Sequence, residues 1–168
     1  DRNPTVSLPA QDEARLSPLV AFATSAWRSP VEAVVRSFDA HDVVFLGEFY
    51  KIREHVNLVK DLVPALRAAG VRNLGIEYAL AESQADIDAL LAAPAWSEAE
   101  ARRITFTWVV TWGFQEYLDI YRAAWEENRK LAPGERPFRI VALGVRQNWE
   151  YLQTQADLEK TEVLQKIL

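Results

Sequence analysis

VVFLGEFYKIREHVNLVKDLVPALRAAGVRNLGIEYAL, residues 43–80, carries the pattern on which the fold is read. Its first four residues are an unbroken apolar run with β-branched side chains, suited to a strand covered on both faces, and the run stops at Gly47-Glu48. The period then changes. Val56, Val59, Leu62, Val63 and Leu66 recur on one helical face, and Gly70 stands where a C-terminal cap belongs. A second apolar run, NLGI73–76, follows and stops at Glu77-Tyr78. Strand, helix and strand in about 35 residues match a right-handed parallel crossover. Pro64 removes one backbone donor, so a kink or break is expected near Val63.

Working outward, RIVALGV139–145 reads as a third buried strand and runs into Arg146-Gln147-Asn148. Ligands of open α/β sheets bind in the crevice outside the carboxyl ends of the strands, so Glu48, Glu77 and Arg146 are expected to converge there. Ser29-Pro30-Val31-Glu32 is a capping box that opens a helix to about Phe38. Another helix begins near Ala81, with Ile87, Leu90 and Leu91 on its apolar face, and stops at Pro94. Ser97 to Glu100 opens a third. The loop LAPGERP131–137 precedes the last strand, and a helical stretch runs from about Asp157 with no capping signal at its end. The fold class is α/β, a parallel sheet of three recognisable strands flanked by helices. Residues 1–28, with Pro4, Pro9 and Pro18, read as an extended arm, and 29–168 as one domain. Three strands make a small sheet, so the domain is expected to be incomplete at its C-terminus or completed by a partner chain, a homodimer included.

With 168 residues, 49% of them hydrophobic, the chain is long enough to bury a core. A formal charge of -5 and the lack of Lys or Arg runs argue against nucleic acid as a partner. No stretch approaches the roughly 20 apolar residues of a membrane helix. Without cysteine there is no disulfide, thiolate nucleophile or lipid carried on sulfur. Without methionine there is no initiator, so the chain reads as a processed or excised product. Gly-rich phosphate loops, HExxH pairs and GxSxG elbows are also missing from the sequence, which removes most of the weight from nucleotide, zincin and serine-hydrolase readings.

Glu48 and Glu77, one crossover apart, are the sharpest candidates. Paired carboxylates bind a divalent cation, orient a water, or divide acid and base roles as their pKa values separate. The plainer reading is that each caps a helix or pairs with a nearby arginine. His55, one turn into the crossover helix, faces the same crevice, whereas His41 belongs at the opposite edge. Tyr50 and Tyr78 follow the two glutamates and offer hydrogen bonds or a hard oxygen ligand for ferric iron, as tyrosine does in some haem proteins. Between Phe106 and Trp125, the aromatics Tyr117, Tyr121 and Trp125 share a helical face and read as core. Trp108 and Trp112, beside Gly113, are the better pocket members.

The stretch from Val43 to Leu91, followed by TWGFQEYLDIYRAAWEENRKLAPGERPFRIVALGV111–145, resembles the ChaN-like haem-binding uptake proteins, relatives of the Tiki proteases, TraB-type proteins and erythromycin esterases. In that superfamily a Gly-Glu-x-His motif ends the first strand, a second Glu ends the next, and further histidines come from a later half of the domain. Glu48 and Glu77 match the two acids, Tyr50 stands at the motif's histidine, and His55 matches a histidine of the following helix. The resemblance implies a bacterial ligand-binding protein that holds haem or another planar, hydrophobic molecule with Glu48, Tyr50, Glu77, Tyr78, Trp112 and Arg146. Iron uptake and a lipoprotein-like place in the cell envelope go with it, with the cytoplasm as the alternative. A second reading is a metal-dependent esterase or peptidase with Glu48 and Glu77 as ligands or general base and His55 beside them. A third is a degenerate member acting as an interaction module.

Overall fold

The computed structural model describes residues 10–25, 27–106 and 113–167 of the chain. Helices α1 (Ala10–Ser25), α2 (Pro30–Ser37) and α3 (Arg53–Ala68) precede strand β1 (Asn73–Leu80). Then come α4 (Gln84–Ala92), α5 (Glu98–Phe106), α6 (Gln115–Asn128), strand β2 (Arg139–Gly144) and α7 (Thr161–Ile167). The protein is therefore mixed helix and parallel sheet. Its described sheet has two strands, β1 and β2, paired in parallel from Asn73 opposite Arg139 to Ile76 opposite Ala142 and, beyond a shift of register, at Leu80 opposite Gly144.

Local signals explain most boundaries. The Ser29 hydroxyl accepts the Glu32 N–H at 3.2 Å with Pro30 at the first helical position, which fixes the start of α2. The Ser97 hydroxyl does the same for Glu100 at the start of α5. At the end of α3, Gly70 takes φ +89°, while the N–H groups of Gly70 and Val71 bond back to Arg67 and Leu66. This is a Schellman closure, and it needs a residue free of the Cβ clash at positive φ. Gly70→Ala is accordingly expected to cost about 1 kcal/mol, read as a shift in the urea midpoint with the slope unchanged.

Helix α6 is the hub. It packs on α3, α4, α5 and β2, and it buries Tyr117, Leu118, Ile120, Tyr121 and Ala124. Against these sit Val56, Leu62, Val63 and Leu66 of α3 and Ile87, Leu90 and Leu91 of α4, the apolar faces read from helical spacing. Ile76, Tyr78 and Leu80 of β1 with Ile140 and Ala142 of β2 turn towards that core.

Three expectations are corrected. VVFL43–46 is not a strand: it forms no ladder with β1, and Val43, Phe45 and Leu46 are exposed, Phe45 by 92%. An apolar run reports a tendency to burial, whereas a strand requires a hydrogen-bonded neighbour in register. The N-terminal arm is helical from Ala10 to Ser25, running through Pro18, where its prolines suggested extended chain. Pro64 likewise lies inside α3 without ending it. Among the described residues no helix is long and apolar enough to cross a membrane.

Candidate functional site at the carboxyl ends of the strands

Because β1 and β2 are parallel, the residues that end them leave the sheet at one edge. The loop from Val43 to Ile52 brings Glu48 to that edge. Its shape is held from α3: the Phe49 N–H donates to Nδ1 of His55 at 3.2 Å, so the imidazole folds back on the loop. Lys51 closes the turn at φ +65°, a left-handed conformation that non-glycine residues seldom adopt. Arg53 Nε then pairs with Glu116 Oε1 at 2.8 Å, tying the start of α3 to the start of α6.

Glu48 is anchored from below. The Tyr117 hydroxyl donates to Glu48 Oε1, and the Tyr117 ring meets the Tyr78 ring edge-on, with centroids 4.5 Å apart and planes at 69°. The Tyr78 and Tyr121 hydroxyls are buried and have no hydrogen-bond partner among the described residues. Burial first, then the neighbouring Tyr121 and Glu48, push the Tyr78 phenol well above its ordinary value. Burial and the bond to Glu48 raise Tyr117, and burial raises Tyr121. All three phenols stay neutral near pH 7, and Tyr117 acts as the donor in its bond to Glu48. Beside this group, a cavity of about 130 Å³ is lined by Ile52, Val56, Phe114 and Tyr117 among others.

The remaining candidates are distributed unevenly around this anchor. Tyr50 is exposed and lies within electrostatic reach of Tyr117. Glu77 projects from the exposed face of β1, whereas Glu48 reaches the tyrosines of the buried face. Arg146 reaches the same edge and is paired there with Glu82, Nε to Oε1 at 2.9 Å. His41 is exposed before the loop, and Trp112 lies outside the described residues. Among the described residues no group of three or more His, Asp or Glu side chains is disposed to hold a metal ion.

Two site residues escaped the sequence reading. Helical spacing assigns Tyr117 to the core, where its ring does lie, but a buried tyrosine usually finds a partner for its hydroxyl, and that signal points towards a polar group nearby. Glu82, the partner of Arg146, lies 64 positions before it and carries no local mark.

A family model described as haem-binding uptake, Tiki superfamily, ChaN matches residues 34–167. The chain belongs to this family. The ChaN match begins within α2 and runs through α7, so it takes in the Glu48 loop, both strands and α6. Comparison with curated proteins and with solved structures gives no match.

Proposed function

We propose that this ChaN family member binds haem, or a similar planar hydrophobic ligand, in the crevice at the carboxyl ends of the strands. The observation that carries the proposal is an aromatic rim left in solvent beside an anchored carboxylate: Phe49 is 76% and Tyr50 55% exposed, next to Glu48. Exposed aromatic surface of this kind suits a flat apolar ligand. Leu143 and Val145, exposed at the end of β2, add apolar surface on the same edge.

The donor set fits haem. A tyrosine oxygen is a known axial ligand to haem iron, and Tyr50 is the exposed phenol of the group. In this reading Tyr50 would supply an oxygen ligand to the iron, Phe49, Leu143 and Val145 would offer apolar surface to the ligand, and Glu48 is held near them by Tyr117. Tyr78 supports from beneath, and Arg146 stands by for the propionates. Bound haem would supply the iron centre; the chain supplies the ligand atom and the dry surface. A role in haem uptake is part of the same proposal, supported by the family description; its placement at the bacterial cell envelope is proposed from the sequence resemblance alone.

Titration with hemin is expected to give a saturable shift of the Soret band that is lost or displaced in Tyr50→Phe and retained in His41→Ala. Absence of saturation, or a Tyr50→Phe spectrum identical to that of the parent, would overturn the assignment.

A further inference from the structure

At the other end of the sheet, on the order of 20 Å from Glu48 along the eight residues of β1, lies a second and larger cavity of about 360 Å³. Its size is at the lower end of small-molecule sites, about 300–1,000 Å³. Asp88, Arg129, Arg136 and Arg139 are the charged residues of its lining. Three cations thus meet in one cavity of a chain whose formal charge is -5.

Pairing decides what these charges are free to do. Arg139 grips Asp88 with two bonds, Nε to Oδ1 at 3.0 Å and Nη2 to Oδ2 at 2.8 Å, and Gln84 also donates to Asp88. That pair is internally neutral. Arg129 and Arg136 have no side-chain hydrogen bond or ion pair among the described residues. The nearby acids are engaged elsewhere: Glu127 with Arg67 and Lys130, Glu135 with Arg67 and the Ala132 N–H. Two guanidiniums therefore face the cavity without a counter-charge.

Apart from Asn73 and Asn128, the rest of the lining is apolar, with Leu91, Leu131 and Phe138. Its wall is fixed, because the Asn128 side chain binds both the N–H and the C=O of Phe138, at 2.8 and 2.9 Å. A fixed apolar wall with two forked donors recognises an organic anion by both ends, since guanidinium matches phosphate and carboxylate oxygens bidentately.

We propose that this cavity is a second ligand site, distinct from the haem crevice, for a small organic dianion with an apolar body: a phosphate monoester or a dicarboxylate. Arg136 and Arg129 hold the charged head, and Leu91, Leu131 and Phe138 cover the body. Arg129 also follows the last turn of α6, where a cation offsets exposed carbonyls, so its replacement would test stability and binding together. Arg136 lies in the loop and reports on binding alone.

Calorimetry on the whole chain with phenyl phosphate and, separately, phthalate distinguishes the two head groups. Inorganic phosphate and benzyl alcohol serve as head-only and body-only comparisons. At least one dianion is expected to bind saturably and more tightly than either comparison compound. Its affinity is expected to fall about tenfold in Arg136→Ala, recover in part in Arg136→Lys, and stay unchanged in Arg36→Ala, a surface control on α2. No saturable heat from either dianion would overturn the proposal. So would equal affinity in Arg136→Ala, or inorganic phosphate binding as tightly as the aryl compounds. Because Arg136 is exposed and unpaired, its variants are expected to keep the parent's circular dichroism spectrum and melting point.

Discussion

Replacing Gln84 with alanine is expected to lower the unfolding free energy by about 2–4 kcal/mol, because two backbone groups of β2 lose their partner at once. Gln84 Nε2 donates to the Ile140 carbonyl at 2.9 Å, and its Oε1 accepts the Ala142 N–H at 2.8 Å. Both residues are buried, so water does not readily take over these bonds. The geometry is that of a strand edge. In a parallel strand, residues of one parity bond one neighbour and those of the other parity bond the opposite side. The Arg139 N–H goes to the Arg72 carbonyl at 2.7 Å on the β1 side, which leaves the even-numbered residues facing outward. There the Gln84 amide stands in for the next strand, and Asn128 does the same for Phe138 one step earlier. Two side-chain amides thus close an edge that would otherwise offer itself for pairing. A second chain adding a strand to β2 would have to displace them. The test is the urea midpoint at constant slope. Asp88→Ala removes the exposed ion pair with Arg139 and the second acceptor of Gln84 Nε2 but keeps both strand bonds, and is expected to cost about 1 kcal/mol. A Gln84→Ala variant no less stable than Asp88→Ala would show that the edge is held by something else.

The contrast between Gln84 and the helix caps shows what the sequence made legible. Ser29, Ser97 and Gly70 act on residues within a few positions of themselves, so their meaning is local and readable. Gln84 meets partners 56 and 58 positions away, and nothing beside it in the chain marks them. The same division runs through the strands. Apolar runs located β1 and β2, because both contribute to the core. The run at 43–46 obeyed the same rule yet forms no ladder, since composition describes the side chains and pairing is decided by the backbone of another segment. At the site, Glu48 was legible as a polar residue closing an apolar run. Its anchor was not, because helical periodicity marks Tyr117 as core and says nothing about where the hydroxyl goes. Glu77, recognised by the same rule as Glu48, lies inside β1, which runs on to Leu80, because hydropathy marks where an apolar run stops and not where backbone pairing stops.

That anchor gives the second prediction, since Tyr117 and Tyr121 stand one turn apart on the same face of α6, are equally buried, and should respond oppositely to the loss of a single oxygen. Tyr117→Phe removes the donor to Glu48 and is expected to cost about 1.5–3 kcal/mol, the range for a hydrogen bond to a charged group. Tyr121→Phe removes a buried hydroxyl that has no partner among the described residues, and stability is expected to hold or rise by about 1 kcal/mol. Comparing Glu48→Ala, Tyr117→Phe and the double variant isolates the pair. A coupling of at least about 0.5 kcal/mol is expected. Hemin binding separates anchoring from packing. Tyr117→Phe frees the Glu48 loop and is expected to weaken the Soret titration, while Tyr121→Phe, with the same ring in the same core, leaves it as in the parent. Equal loss in both variants would mean that the crevice depends on the core as a whole and not on the carboxylate that Tyr117 holds.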